Sequence, residues 1–209
     1  MAPRIDRVVT VGTFTLDGGT WKVENNVWLL GDDQQVLVID AAHDADPIRV
    51  MAGERRVSAI ACTHGHNDHI NAAPTLSKMV QAPILLHSAD LELWHQTHPD
   101  QAPDGELAHD EVMRVATVEV RVLDTPGHTP GSVCLYVPAL HAVFTGDTLF
   151  AGGPGATGRS FSDFPAIIRS IRDRLFSLPP QTRVLPGHGI STTVRNEASH
   201  LEEWIARGY

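Results

Sequence analysis

The chain has 209 residues, 42% of them hydrophobic, and 16 basic against 25 acidic residues give it a formal net charge of −9. This length suits one domain with a buried core and is short for two, so we expect a single domain over residues 1–209. The acidic balance and the lack of a Lys/Arg cluster argue against a nucleic-acid partner. No apolar run has membrane-spanning length and no secretory-signal pattern is visible, so we expect a cytoplasmic protein without membrane contact.

Short β-branched and apolar runs predict eight strands along the chain. The runs are residues 8–14, 21–30, 35–40, 57–62, 83–87, 118–124, 132–137 and 142–146, and a further strand is expected around Val184. Between them, helical patterns are expected at 47–52, 70–80 and 89–96.

The clearest helical pattern is an apolar stripe at spacings of three and four, formed by Phe164, Ile167, Ile168, Ile171 and Leu175. Ser162 or Asp163 can cap this helix, and the prolines at 179–180 end it. A last helix is expected at 194–207. The elements fall into two successive sets, residues 1–115 and 116–209, which fit two sheets packed face to face with helices outside. Periodicity alone fits a doubly wound parallel sheet equally well.

Both cysteines, Cys62 and Cys134, lie in apolar strand-like settings. We therefore expect two buried, reduced thiols that fill core volume, with no disulfide.

Histidine is the unusual part of the composition, with 12 copies, and three of them fall within the six residues His64-Gly65-His66-Asn67-Asp68-His69. The motif follows a predicted strand and opens a predicted helix. The spacing of His64 and His66 allows both imidazoles to hold one metal ion, with Asp68 and His69 free to serve another. We expect Gly65 to let the backbone bend closely around the metal.

Three later loops each place one metal-binding side chain beside glycine at the end of a strand: His128 in Pro126-Gly127-His128, Asp147 in Thr145-Gly146-Asp147 and His188 in Pro186-Gly187-His188. Their common form indicates convergence at one sheet edge. The other histidines, which lack paired spacing, are assigned ordinary core or surface roles, with His98 also weighed as a residue bordering the cleft. They are His43, His87, His95, His98, His109, His141 and His200.

These motifs resemble the metallo-β-lactamase superfamily, and the resemblance runs from the strand ending at Asp40 to His188. It implies an α/β fold of the αββα sandwich type, with two mixed sheets face to face and helices outside. It also implies that His64, His66 and His128 bind one metal, that Asp68, His69 and His188 bind a second, and that Asp147 bridges both. Asp40 is expected to orient a ligand rather than bind metal.

Five imidazoles and two carboxylates without a thiolate suit two Zn²⁺ ions, and iron or manganese accept the same donors. Such a centre supplies hydroxide at neutral pH, with Asp68 as the catalytic residue that orients it. The chain contains no Gly-x-Ser-x-Gly sequence for a serine nucleophile.

The run from Phe144 to Phe150 is similar to glyoxalase II, the hydroxyacylglutathione hydrolases, which cleave thioesters of a small thiol. The expected partner is thus a small acyl-thiol substrate, and the protein is expected to be a monomer or small homo-oligomer. The chain departs from glyoxalase II in its short C-terminus and in the glycine-rich loop 151–160. That loop resembles short actinobacterial metallo-hydrolases, where mycothiol is the expected carrier. Phe150, Arg159 and Ser160 are candidate substrate contacts.

Other activities on the same fold stay open. A persulfide dioxygenase uses a single iron and a segment that residues 158–164 partly resemble. Hydrolysis of a lactone or β-lactam is also chemically open. The complete ligand set favours a dinuclear hydrolase over these and over a non-catalytic protein.

Overall fold

The computed structural model describes residues 2–208. The first half of the chain forms a six-stranded sheet in which strands adjoin in sequence order. These strands are β1 (Arg4–Leu16), β2 (Gly19–Gly31), β3 (Gln35–Ile39), β4 (Arg56–Ala61), β5 (Ile84–Leu86) and β6 (Gly105–Glu106). β1, β2 and β3 pair antiparallel, whereas β3, β4, β5 and β6 are parallel.

The second half forms another mixed sheet. Its strands and a small hairpin are β7 (Val112–Val115), β8 (Val118–Asp124), β9 (Val133–Val137), β10 (Ala142–Gly146), β11 (Leu149–Phe150), β12 (Gly153–Pro154), β13 (Arg183–Pro186) and β14 (Thr192–Thr193). The order across the sheet is β14-β13-β10-β9-β8-β7, and only β10 and β13 pair in parallel. β11 and β12 form the separate hairpin.

The helices are short. They are α1 (Ala45–Ala52), α2 (Asn67–Ile70), α3 (Ala73–Val80), α4 (Leu91–Thr97), α5 (Phe164–Ser170), α6 (Val194–Ala198) and α7 (Leu201–Arg207). A 3-10 turn spans Ser88–Asp90, another spans Pro138–Leu140, and α5 continues into a π-helical segment at Ile171–Leu175.

Three clusters of buried hydrophobic residues show how the sheets and helices are layered. In β2, alternate residues face opposite sides: Val27 and Leu29 pack with Ile48 and other residues of the outer helices, whereas Trp28 and Leu30 pack between the sheets. A third layer joins the second sheet to α5 and α7. The predicted αββα sandwich is confirmed, and the doubly wound parallel alternative is wrong.

Several element boundaries differ from the sequence prediction. The expected helix at 194–207 is two helices, α6 and α7, because Ser199 and His200 interrupt it. The helix at 70–80 is likewise broken after Asn71, whose side-chain oxygen accepts a hydrogen bond from the backbone N–H of His43 at 2.6 Å. The strand β7 was not predicted, and it places the division between the two sets before residue 112 rather than after 115.

Cys62 and Cys134 are both buried and free, as expected. Within residues 2–208, no helix combines the length and the apolar character that crossing a bilayer requires.

The predicted metal ligands and the polar residues beside them lie along one edge of the sandwich. Asp40 follows β3, His64 follows β4 and Asp90 lies beyond β5, so the carboxyl ends of three parallel strands open on the same edge. Asp147 and His188 follow β10 and β13 of the second sheet. The seven predicted ligands therefore meet where the two sheets come together.

Candidate metal centre

Three buried histidines form the first group of candidate metal donors. Nδ1 of His66 lies 3.1 Å from Nε2 of His64 and 3.0 Å from Nε2 of His128. Zn–N bonds of 2.0–2.1 Å in a tetrahedron separate their nitrogens by about 3.3 Å, so this spacing fits a small divalent cation. The two loops that carry these residues are 62 positions apart in sequence and meet only through the fold.

Asp68, His69 and His188 form the second group. Nε2 of His69 lies 3.1 Å from Nε2 of His188, and Oδ2 of Asp68 lies 3.6 Å and 3.3 Å from these nitrogens. The structure thus brings together the three side chains that the resemblance assigns to one metal.

Asp147 lies between the two groups. Its Oδ1 is 3.4 Å from Nε2 of His69, and its Oδ2 is 3.4 Å from Nε2 of His188 and 3.6 Å from Nε2 of His128. This carboxylate therefore touches donors of both groups, which is the position that a bridging ligand requires.

Four of the five histidines are oriented by an oxygen at their outer ring nitrogen. His69 Nδ1 donates to Asp40 at 3.0 Å, and His64 Nδ1 lies 3.1 Å from the hydroxyl of Thr63. Backbone carbonyls accept from the other two: Ala156 O from His128 Nδ1 at 2.9 Å, and Glu24 O from His188 Nδ1 at 2.7 Å. These contacts hold the Nε2 lone pairs toward the centre. Asp40 occupies the orienting position that the resemblance implies.

Histidines of the two groups differ in the direction of their pKa shifts. Burial and the neighbouring imidazoles lower the pKa of His66 to about 3, so its ring is neutral. Burial also opposes the charged form of His188, but the Asp147 carboxylate prevails and raises the pKa of His188 to about 10. Burial likewise acts to raise the pKa of Asp147, but His188 and His69 hold it well below its usual range. A cation bound at the second group would displace the proton of His188 and supply the positive charge in its place.

A further observation supports a cation here. Oδ1 of Asp147 is buried and has no hydrogen-bond partner within residues 2–208. An unsatisfied buried carboxylate oxygen is costly, and a metal ion satisfies it. A donor set of imidazole nitrogens and carboxylate oxygens suits zinc, iron and manganese alike. The residues present therefore fit a dinuclear centre.

A cleft of about 250 Å³ opens above these donors. The donors His66, Asp68, His128, Asp147 and His188 line its floor, and apolar residues complete its wall: Phe14, Val23, Phe150 and Ala156. The ring of Phe14 meets that of His66 edge-on, with 5.1 Å between centroids. The site thus combines a polar floor with apolar walls, as small-molecule sites usually do.

The three candidate substrate contacts lie in two places. Phe150 lines the cleft, with its ring 6.3 Å from that of His188. Arg159 and Ser160 instead contact the end of the β1–β2 hairpin, Arg159 through the ring of Trp21 and Ser160 through its N–H, which donates to Asp17 at 3.1 Å. They lie at the mouth of the site rather than on its floor.

Asn25 was missed by the sequence prediction. It is fully buried, and its amide donates to Oδ2 of Asp68 at 3.1 Å and accepts from Nε2 of His43 at 2.8 Å. His43, assigned an ordinary role, thus reaches the centre through one intervening residue. The signal was a pair of asparagines directly before the apolar run 27–30 of a predicted strand, since buried amides need partners.

His98 is not among the residues that line the cleft. Its Nε2 donates to the carbonyl oxygen of Ile70 at 3.0 Å, and its ring packs on Trp94. Its role in the described structure is therefore packing and hydrogen bonding within the helical layer.

Comparison with known proteins identifies the family. Residues 21–188 match the metallo-beta-lactamase superfamily, and this range includes all seven candidate ligands. The chain belongs to the metallo-beta-lactamase superfamily. It is thus a metallo-hydrolase by family, and the convergence of its His and Asp donors agrees with that membership.

Relatives within the superfamily carry several descriptions. The probable metallo-hydrolase YqgX of Bacillus subtilis is 32% identical over 189 residues, which cover 84% of this chain and 90% of the relative. The hydroxyacylglutathione hydrolase GloC of Haemophilus influenzae is 28% identical over 83% of this chain and 90% of its own. The crystal structure of TTHA1623 in a di-iron-bound form superposes with a TM-score of 0.76 at 32% identity, covering 84% of this chain and 93% of that one.

Proposed function

We propose that this metallo-hydrolase cleaves a thioester of a small thiol, such as S-lactoylglutathione or a mycothiol thioester, into an acid and the free thiol. The observation that carries the proposal is the pair of three-donor groups joined by Asp147 beneath an apolar-walled cleft. The similarity to GloC supports the thioester as substrate.

The chain's own residues would divide the work as follows. His64, His66 and His128 would hold one cation, Asp68, His69 and His188 the other, and Asp147 both. When bound, two divalent cations polarise a carbonyl oxygen and lower the pKa of water so that hydroxide is available near pH 7. Asp68, fixed by the amide of Asn25, would accept a hydrogen bond from the attacking hydroxide and orient it.

The leaving group explains why no further acid is required. A thiol of pKa about 8.5 departs as a thiolate at little cost, so the site needs no dedicated proton donor. Phe14 and Phe150 would pack against the acyl group in the cleft. Arg159 would meet an anionic group of the thiol carrier at the mouth, because guanidinium pairs well with carboxylate.

We propose two Zn²⁺ ions as the native metals, with iron or manganese as alternatives that the donor set also accepts. The di-iron form of TTHA1623 makes iron a specific alternative to test. Metal content measured on protein expressed without added metal distinguishes these ions.

The test is a substrate panel with metal analysis on the same preparation. We expect two metal ions per chain and a kcat/KM for a glutathione or mycothiol thioester at least about 100-fold above that for a lactone or a β-lactam. The variant His66→Ala should lose activity toward every substrate. A single iron per chain with oxygen consumption on a persulfide would instead support a dioxygenase, and equally poor rates for all thioesters would reject the thioester proposal.

A further inference from the structure

Asp90 is a fully buried carboxylate that joins the two loops of the first donor group. Its Oδ2 accepts a hydrogen bond from the N–H of Gly65 at 2.7 Å and another from the hydroxyl of Thr129 at 2.6 Å. Its Oδ1 accepts from the N–H of Gly131 at 2.6 Å. Gly65 lies between His64 and His66, whereas Thr129 and Gly131 follow His128. One side chain therefore ties the loop that carries two of the three histidines to the loop that carries the third.

Glycine is required on both sides of this carboxylate. A Cβ on Gly131 would lie 2.8 Å from Cγ and Oδ1 of Asp90, and a Cβ on Gly65 would lie 2.9 Å from the carbonyl oxygen of Asp90 and 2.8 Å from Cβ of Leu93. The sequence prediction was that Gly65 avoids a Cβ clash where the backbone bends around the metal, and the structure shows that the atoms such a Cβ would meet belong to Asp90 and Leu93. Both loops are shaped to pack against Asp90.

The second donor group is held by different residues. Asp40 accepts from His69, Asn25 donates to Asp68, and Glu24 O accepts from His188. Among residues 2–208, the side chain of Asp90 accepts hydrogen bonds from Gly65, Thr129 and Gly131 and from no residue of that group. Within the described residues, Asp90 thus supports the first group alone. Asp40 supports both groups, because the Thr63 hydroxyl that donates to Asp40 at 2.8 Å also lies 3.1 Å from Nδ1 of His64.

We propose that Asp90 is a positioning residue that sets the affinity of the His64/His66/His128 group for its cation and leaves the Asp68/His69/His188 group nearly unchanged. The proposal rests on the metal centre of the proposed function and is independent of the substrate. Residues that orient metal ligands typically change metal affinity 10- to 100-fold when altered. Here the orientation acts on the backbone: the carboxylate fixes the separation of the two loops, and through it the spacing of the three nitrogens.

The substitution Asp90→Asn isolates this role. Asparagine has nearly the same volume as aspartate, but an NH₂ group replaces one carboxylate oxygen. This NH₂ group cannot accept the hydrogen bond that the backbone N–H of Gly65 or Gly131 donates to the carboxylate. We expect the loops to separate and the first group to bind Zn²⁺ about 10- to 100-fold more weakly. Asn25→Ala is the control for the other group, because it removes the hydrogen bond that the Asn25 amide donates to Asp68 and should affect the second group. Thr129→Val removes one of the three hydrogen bonds and should weaken the first group by less than Asp90→Asn does.

The experiment uses metal-free full-length protein and each variant, titrated with Zn²⁺ against a chelating dye and with Co²⁺ by visible absorption. His66→Ala and His188→Ala identify which binding step belongs to which group. We expect Asp90→Asn to weaken the first-group step and Asn25→Ala the second-group step, while the other step in each variant stays within about 3-fold of the wild type. Circular dichroism of the metal-free proteins checks folding, and if Asp90→Asn does not fold, Thr129→Val carries the test.

Equal weakening of both steps, or of neither, would overturn the positioning role of Asp90. A wild-type protein that binds two ions but hydrolyses no thioester would reject the proposed substrate and leave the inference about Asp90 intact. A wild-type protein that binds no divalent ion would overturn both.

Discussion

The guanidinium carbon of Arg159 lies 4.2 Å from the centroid of the Trp21 ring. This cation–π contact joins the glycine-rich loop to the end of the first hairpin, and the ring of Phe14 stacks on that of Trp21 with centroids 5.6 Å apart. The series Arg159, Trp21, Phe14 leads from exposed loop to the ring of His66. Successive ring contacts therefore connect the glycine-rich loop to the metal centre.

We expect Trp21→Ala to raise KM for a thioester about 10-fold while kcat stays within about 3-fold, because a cation–π contact of about 1 kcal/mol and the position of Arg159 are both lost. Steady-state kinetics with S-lactoylglutathione measures the two constants separately. Arg114→Ala, an exposed arginine of β7 outside the cleft lining, is the control and should change neither. An equal loss in kcat would place Trp21 in the chemical step and contradict this prediction.

His66→Ala should reduce the bound metal from two ions per chain to about one and lower kcat/KM by at least about 100-fold, since it removes one of three donors of the first group. Metal analysis and steady-state kinetics on one preparation measure both effects. His95→Ala, an exposed histidine of α4, should retain full metal and activity. Two ions retained in His66→Ala would mean that His66 is not a ligand.

Removing the metal should lower thermal stability. Each ion at a concentration of 100 Kd stabilises the native state by about 2.7 kcal/mol, which corresponds to a fall in Tm of roughly 5–10 °C per site on chelation for a chain of this size. Differential scanning calorimetry with and without a chelator measures it, and His66→Ala should show about half the fall. An unchanged Tm in the wild type would contradict metal binding at these groups.

Both thiols should be unreactive in the native protein. Burial raises the pKa of Cys134 to about 12 and that of Cys62 well above its ordinary value, so the reactive thiolate is absent at pH 8. A thiol reagent should react with neither cysteine in the folded protein and with both cysteines after unfolding in guanidinium. Rapid labelling of the folded protein would contradict the buried assignment.

The same pKa shifts predict the alkaline behaviour. An unfolded cysteine loses its proton near pH 8.5, whereas folded Cys134 keeps it until about pH 12, so the unfolded state binds fewer protons in this range. Stability is therefore full below pH 8.5 and falls as pH rises toward 12. Chemical denaturation at pH 8 and pH 10 should show the lower free energy of unfolding at pH 10, with a smaller difference in Cys134→Ala.

Much of the site could be predicted from sequence because its residues are adjacent to strong local signals. His64, His66, Asp68 and His69 fall in one motif, and His128, Asp147 and His188 each stand beside glycine at a strand end. Residues that act through long-range contacts carried no such signal. Phe14 and Val23 lie on strands with ordinary alternation, and only the hairpin's position over the cleft gives them a role.

The predicted helix boundaries were wrong where polar side chains compete with the hydrogen bonds of the helix backbone. Apolar periodicity predicted one helix over 194–207, but the chain breaks at Ser199, and the helix expected from residue 70 is interrupted where Asn71 binds the backbone of His43. Periodicity reports which residues face a core, and it does not report where a polar side chain diverts the backbone.

The sequence by itself determined the chemistry: which seven side chains are available as donors, that sulfur is not among them, and that they follow strands. The family resemblance implied how those donors divide into two groups and that Asp147 bridges them. Only the tertiary structure gave the distances between the donors, the contact of Asn25 with Asp68, and the hydrogen bonds by which Asp90 ties the loop of His128 to that of His66. The reason is physical, since metal affinity depends on distances between nitrogens of about 3 Å, and such distances are fixed by packing between sheets rather than by the order of residues along the chain.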